Sequence, residues 1–336
     1  MKAIVLFGPH DARLADFKTP VTAPGTVKVA IAYCGFCGSD FHKFEGKKNT
    51  HPVTYPVPLG HEVSGIVAEV GEGVEGFAVG DAVTIDPNHS CGKCDFCQKG
   101  MPSFCRHGRG VVKGMAEFVV APVENVYRLP KGMDLRAAAL AEPLSCCLHG
   151  MDLLDVKQGQ SVAIVGFGAI GAMMLQLVKL AGAGEIVVLE TNEQKRETAL
   201  AAGASRFLSP ADTAAVDALC AEMNIDRVIE CVGFSAAQQT ALRVAGKGAT
   251  VVLFGVADEK DVLPFSAYEA FTKELVLKTS FINPHTMRRA VDLLAAGVLD
   301  TDAIISRVLT MREAEQELLT REYSRQGKVL VKIDHE

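Results

Sequence analysis

Four cysteines stand close together in the run Cys91-Gly92-Lys93-Cys94-Asp95-Phe96-Cys97, with Cys105 following. Two consecutive two-residue spacers let thiolates converge on one ion, and Gly92 and Gly100 ease the tight turns this requires. Zn2+ takes four thiolates tetrahedrally at about 2.3 Å, and a site closed in this way has no open position, so its role is structural. An iron–sulfur cluster could use the same spacing, but no other electron-transfer feature accompanies it. A second constellation is scattered along the chain: Cys34-Gly35-Phe36-Cys37-Gly38-Ser39-Asp40-Phe41-His42, then Gly60-His61-Glu62, then Ala141-Glu142-Pro143. Cys37, His61 and either Glu62 or Glu142 offer one sulfur, one nitrogen and a carboxylate oxygen. That set leaves room for a water or substrate oxygen, as a catalytic zinc requires. Zinc in such a site lowers the pKa of a coordinated hydroxyl towards neutrality, which turns an alcohol into a competent hydride donor. The Cys34–Cys37 pair also reads as a redox CxxC, although no thioredoxin-like pattern surrounds it. Cys34, Cys146, Cys147, Cys220 and Cys231 lie in apolar runs and read as small hydrophobes.

A third pattern complements the metal chemistry. Val165-Gly166-Phe167-Gly168-Ala169-Ile170-Gly171 is a GxGxxG placed between an apolar strand and a helix, the context that gives this motif meaning. Gly166, Gly168 and Gly171 allow a tight turn and close backbone approach, the N-terminus of the helix that follows faces a pyrophosphate, and Ala169 and Ile170 within the motif are expected against the cofactor. Glu190 follows the next strand. A carboxylate there accepts hydrogen bonds from ribose hydroxyls and repels a 2′-phosphate, which favours NAD over NADP. Lys195 and Arg196 follow closely and leave some NADP tolerance open.

These residues need elements to hold them. A chain of 336 residues, 49% of them hydrophobic, suggests about two domains with sizeable cores. Up to about residue 130 the pattern is mostly β, with strands expected at Met1–Phe7, 27–32 and 63–70, and with Gly and Pro between them as in a barrel-like unit. From about residue 155 strands (162–165, 186–189, 227–230, 250–253) alternate with helices (172–181, 193–202, 236–244), the grammar of a doubly wound parallel sheet. A helix over 286–296 leads into a β-like tail, 328–332, that could rejoin the first domain. The net charge of −6 gives no footing for nucleic acid. No apolar stretch is long enough to span a membrane, and the N-terminal run is too short for a signal peptide. A cytoplasmic protein is expected, in which ten cysteines point to metal or catalysis before disulfides.

The chain resembles the zinc-containing medium-chain dehydrogenase/reductases, and within them the polyol (sorbitol) and threonine dehydrogenase branch. The resemblance runs end to end, through CGFCGSDFH, PLGHEVSGIVAEVGEGVEGFAVGDAV, CGKCDFCQKG, GMAEFVV, AEPLSC, VGFGAIG and GKVLVKI. It implies a GroES-like β-barrel catalytic domain (1–148 and 284–336) with a Rossmann NAD-binding domain (149–283) inserted. It implies two zinc ions per chain: a catalytic one on Cys37, His61 and Glu62, with Glu142 able to enter, and a structural one on Cys91, Cys94, Cys97 and Cys105. Ser39 is implied as the hydroxyl relay, with His42 further out. Cys231-Val232-Gly233, Phe254-Gly255-Val256 and Ser280-Phe281 match the nicotinamide-side contacts, and Lys195 joins Glu190 on the adenosine side. A homodimer or homotetramer is implied, through an edge strand over 274–279. The chain departs from the family pattern in a short basic loop (Arg106, His107, Arg109, Lys113) and in Met115, where a second glycine is common.

The expected activity is therefore oxidation of a secondary alcohol of a polyol, sugar or related compound, with hydride transfer to NAD. Within the family, a threonine-type, hydroxy-acid or sugar-phosphate dehydrogenase is the alternative. A metal-free enone reductase would lack the ligands found here, and a non-catalytic nucleotide sensor would not need Ser39 and a full zinc set. The basic loop is either solvated surface or a source of one cation that favours an anionic substrate.

Overall fold

The computed structural model describes residues 1–47 and 53–335. It divides into two compact units, Met1–Ser145 with Asn283–Glu336, and Cys146–Ile282. The divisions fall a few residues before the expected ones. The first lies inside a continuous helix, Ala141–Leu154, and a boundary bridged by a helix has no loop or linker to mark it.

The first unit is built on a seven-stranded sheet. Its central strand Thr26–Gly35 alternates buried and half-exposed residues, as a strand with one packed face must. It pairs antiparallel with Glu62–Val70 on one side and with Lys328–Lys332 on the other, and Phe118–Pro122 also joins it. The register sets Gly35 opposite both Glu62 and Leu330. One interior strand thus brings together the end of the Cys34 segment, the start of the Glu62 strand and the C-terminal tail. A three-stranded sheet (Asp11–Asp16, Lys2–Gly8, Val57–Pro58) completes the β structure of this core. Ile4, Leu6, Val29, Ile31, Val63, Val83, Ile85 and Val329 form one apolar cluster. At roughly 1.5–3 kcal/mol for each such side chain, this burial is what locks the register.

The second unit carries a six-stranded parallel sheet, with β1 (Val162–Val165), β2 (Ile186–Leu189), β3 (Arg206–Leu208), β4 (Ile225–Glu230), β5 (Ala245–Leu253) and β6 (Val276–Thr279). The spatial order is β3-β2-β1-β4-β5-β6. Every residue of β1 and β2 is buried, which explains why they read as unbroken apolar runs: helices cover both faces of a parallel sheet. Helices Ala169–Leu180, Arg196–Ala202, Thr213–Glu222 and Ser235–Val244 alternate with the strands. The order reverses between β1 and β4, and in an open α/β sheet that switch point, at the carboxyl ends of the strands, is where a ligand crevice opens. Among the described residues no helix is long and apolar enough to cross a membrane.

Candidate functional site: two metal centres and a dinucleotide crevice

The four-cysteine lobe is local. Its Sγ atoms stand 3.5 Å (Cys94–Cys97), 3.8 Å (Cys94–Cys105) and 3.5 Å (Cys105–Cys91) apart. A tetrahedron with zinc–sulfur bonds of about 2.3 Å has edges of about 3.8 Å, so the cage fits a zinc ion. Backbone amides turn inwards: those of Lys93 and Cys94 approach Cys91 Sγ at 3.4 Å, and that of Cys91 approaches Cys105 Sγ at 3.3 Å. Such amides pull the Cys91 and Cys94 thiols below the ordinary cysteine range and favour the thiolates a metal needs. Arg106 closes the lobe from outside. It holds Asp95 through two bonds of 2.7 and 2.9 Å and covers the Phe96 ring. Arg106 is therefore paired within the lobe although it is exposed, as Arg109 and Lys113 also are.

The second centre is assembled from distant segments. One donor atom each from Cys37, His61 and Glu62 lies within 4.8 Å of the others. Glu142, in the first turn of the helix Ala141–Leu154, is outside that group. It is buried nonetheless, and burial together with the Glu62 charge pushes its carboxyl up to about 7. Carboxylates crowd into such a space when a cation is meant to share it. His61 Nδ1 is buried without a hydrogen-bond partner among the described residues, and Asp40 Oδ1, at 3.9 Å, is too distant to serve. Sulfur, nitrogen and carboxylate donors with an orphaned ring nitrogen fit zinc, so the residues present suit the ion.

Sequence reasoning missed two residues here. Asp40 is wholly buried and bridges both ligand segments, accepting the amide of Cys37 at 3.1 Å and that of Gly60 at 3.1 Å. Burial opposes ionisation here, but the His61 ring, the Lys43 ammonium and the Cys37 amide outweigh it and hold the Asp40 carboxyl far below the usual range. Its signal was present, since an acid three residues after Cys37 is helix-capping spacing. Lys328 had no local signal. Its Nζ reaches both Glu62 carboxylate oxygens at 2.7 Å and the Phe36 carbonyl at 2.9 Å. The sheet register, which flanks Gly35 with both strands, makes this contact across the whole chain. Ser39 and His42 lie on the helix Gly38–Phe44, one turn apart and so on one face. Cys34 is fully buried, its Sγ close to Gly60 and Gly114, which makes it a packing residue rather than half of a redox pair.

A buried polar network stands beside Glu142. Asn283 Nδ2 donates to Ser145 Oγ at 2.9 Å and to Asp86 at 3.3 Å, and its Oδ1 accepts from Asn88 at 2.7 Å. Ser145 Oγ in turn donates to the Glu142 carbonyl at 2.6 Å.

In the second unit the glycine-rich turn follows β1 directly. A Cβ at Gly171 would lie 2.1 Å from the Gly166 carbonyl oxygen, so the helix Ala169–Leu180 can press on the turn only without a side chain there. Glu190 stands just past β2. It accepts the amides of Phe167 and Asn192, each at 2.9 Å, and the Thr191 hydroxyl at 3.1 Å, with Lys195 Nζ 3.7 Å away. Arg196 is held by Glu193 and covers the Phe207 ring, which leaves Lys195 as the cation beside Glu190. Val232, Val256 and Phe281 are exposed; Cys231, Phe254, Gly255 and Ser280 are half-buried.

A β-rich unit carrying a Cys-His-Glu centre and a four-thiolate lobe, joined to a switch-point parallel sheet, defines a zinc-binding dehydrogenase. The family profile described as Alcohol dehydrogenase GroES-like domain matches residues 23–131, and that described as Zinc-binding dehydrogenase matches residues 169–296. The chain is 34% identical to the sorbitol dehydrogenase of Halalkalibacterium halodurans, covering 93% of this chain and 94% of that one. It is 32% identical to the 2-dehydro-3-deoxy-L-galactonate 5-dehydrogenase of Pseudoalteromonas atlantica, covering 93% of each. A zinc-binding dehydrogenase of Sinorhizobium meliloti, solved with NADP, superposes with a TM-score of 0.92 at 36% identity over 98% of both chains. The chain belongs to the zinc-dependent medium-chain dehydrogenase family, in its polyol dehydrogenase branch.

Proposed function

We propose that the chain oxidises a secondary alcohol of a polyol, sugar or sugar acid to the ketone, with hydride transfer to NAD. The observation that carries this is the convergence of Cys37, His61 and Glu62 beside the buried Glu142. These residues would hold the catalytic ion, and Cys91, Cys94, Cys97 and Cys105 a structural one. Zinc, when bound, supplies a Lewis acid for the alcohol oxygen. Ser39 takes the hydroxyl proton and His42, on the same helix face, passes it outwards. Asp40 fixes the two ligand segments relative to each other, and Lys328 holds Glu62.

The glycine-rich turn and Glu190 support dinucleotide binding. The Glu190 carboxylate supports NAD over NADP, although Lys195 stands close to it and the S. meliloti relative holds NADP. Glu190 should make NAD preferred by at least ~10-fold in kcat/KM. The test is a screen of polyols, cyclitols, sugar acids and threonine with NAD and NADP, followed as reduced-cofactor absorbance. Turnover with none of them overturns the reading, and equal use of both cofactors overturns the role of Glu190.

Assembly through β6 is part of this proposal. Val276 and Leu277 are exposed on an edge strand, and an apolar edge left open aggregates. A dimer, or a tetramer of such dimers, covers it; a monomer in light scattering at micromolar concentration would contradict this. A chain with ten cysteines and no disulfide among the described residues suits a reducing compartment such as the cytoplasm.

A further inference from the structure

Three loops press together at the carboxyl ends of β1, β4 and β5. A Cβ on Gly166, after β1, would meet Val232 Cγ2 at 2.4 Å, and one on Gly255, after β5, would meet the backbone nitrogen of Gly233 at 2.2 Å. Glu230, the last residue of β4, is wholly buried. Its Oε1 accepts the amides of Val232 at 2.6 Å and Gly233 at 2.8 Å, while its backbone carbonyl accepts those of Phe254 at 2.9 Å and Gly255 at 3.0 Å. One residue thus ties the loop after β4 to the loop after β5. Its Oε2 makes no hydrogen bond among the described residues. Burial pushes the carboxyl above its ordinary range, and the loop amides only partly offset this. A strand end needs no buried acid for packing, and burying one costs free energy.

The topology says what these loops do. The order reverses between β1 and β4, so the crevice lies between the loops that follow them. A pyrophosphate belongs at the N-terminus of the helix after β1, and the adenosine half beside Glu190 after β2. The other half of the dinucleotide must then run over the ends of β4 and β5. We propose that Glu230 is a positioning residue for the nicotinamide half of the cofactor: through the Val232 and Gly233 amides it fixes the wall of the crevice on that side without touching the ligand. The inference rests on the dinucleotide-binding reading above.

The test is a fluorescence titration of the zinc-loaded protein with NADH, or with NADPH if that is the form it binds, alongside displacement by ADP, which occupies only the adenosine side. In Glu230→Ala the dissociation constant for the reduced dinucleotide should rise ~10-fold or more, as expected for losing hydrogen bonds to a charged or strongly polar acceptor. ADP binding should stay within ~2-fold, because Glu190 and the glycine-rich turn are untouched. Glu230→Gln keeps Oε1 and should bind the dinucleotide within ~2-fold of the unmodified protein, since two amides to one acceptor suffice. If Glu230→Ala does not fold, Glu230→Asp replaces it: the charge stays, the reach shortens by one methylene, and the same selective loss is expected. Equal weakening of ADP and dinucleotide, unchanged dinucleotide affinity in Ala or Asp, or a Gln variant as weak as they are would each overturn the proposal. An unmodified protein that binds neither reduced dinucleotide would instead overturn the cofactor reading itself.

Discussion

The two candidate metal centres gather their donor atoms by opposite routes. The lobe centre takes its four ligands from one short stretch, Cys91 to Cys105, and its turns and inward amides are local. The other centre draws Cys37, His61 and Glu62 from separate segments and holds Glu62 through Lys328. A local cage costs little loop entropy to close and depends on its metal for shape. An assembled one is shaped by the sheet around it before any metal arrives. The first should therefore fail as a fold and the second as a catalyst.

The largest effect expected is from Cys94→Ser. Structural zinc sites contribute on the order of 10 kcal/mol to folding, so this variant should aggregate or lose its cooperative unfolding transition. About two zinc per chain in the unmodified protein should fall to one or none by elemental analysis. A soluble, fully stable variant would end the assignment of a structural centre. Cys37→Ser should instead stay folded, with unchanged circular dichroism, while kcat/KM falls at least ~10^3-fold, about 4 kcal/mol of lost transition-state stabilisation. Normal turnover there would remove the catalytic role of this centre.

Lys328→Met sharpens the claim that the sheet shapes the second centre. Both partners of the Lys328–Glu62 pair are buried, at 4% and 1% side-chain exposure. Removing one partner of such a pair leaves an uncompensated charge and costs about 3–5 kcal/mol. Denaturant unfolding should show that loss in Lys328→Met. The double variant with Glu62→Gln should recover part of it, whereas additive losses would mean that the pair is not coupled.

The network of Asp86, Asn88, Asn283 and Ser145 connects the strand leading into the lobe with the helix of Glu142. Burial pushes the Asp86 carboxyl up to about 6 from a reference of 3.8. The folded state therefore holds the proton more tightly than the unfolded one. That contribution to stability is full below about pH 4 and is lost as pH rises through about 6. Asp86→Asn should gain ~1–2 kcal/mol at pH 8 and nothing at pH 4. A variant with the unmodified protein's pH profile would show that Asp86 titrates normally.

The smallest expected effect tests whether the lobe has a part in substrate binding. Arg106 is occupied by Asp95, so Arg109 is the nearby exposed guanidinium with no ion pair among the described residues. If it holds an anionic substrate, Arg109→Ala raises KM for a sugar acid or sugar phosphate ~10-fold and spares a neutral polyol. Equal responses would leave the lobe purely structural and the comparison intact.

Much of this was legible in the order of residues. The lobe ligands, the glycine-rich turn and the strands 162–165, 186–189 and 328–332 follow from spacing and apolar runs that act over a few residues. The helix Ala141–Leu154 was not legible as a helix, because it opens on a motif that includes a proline and its apolar residues go nearly all round it. Asp40 was half visible, as a capping acid without a known second partner. Lys328 was invisible: no periodicity connects it with Glu62, and only the pairing of both strands with Thr26–Gly35 sets them face to face. Glu190 and Glu230 show the same division within the second unit. Both are acids at strand ends, yet position in the chain alone does not say that Glu230 is sealed beneath two loops while Glu190 lies partly open. The sequence by itself determined which groups were available and which local turns they make, because spacing and backbone preference act along the chain. Which groups meet, and which carboxylates are buried, was decided by strand register and loop packing, because those are set by apolar burial summed over the whole sheet.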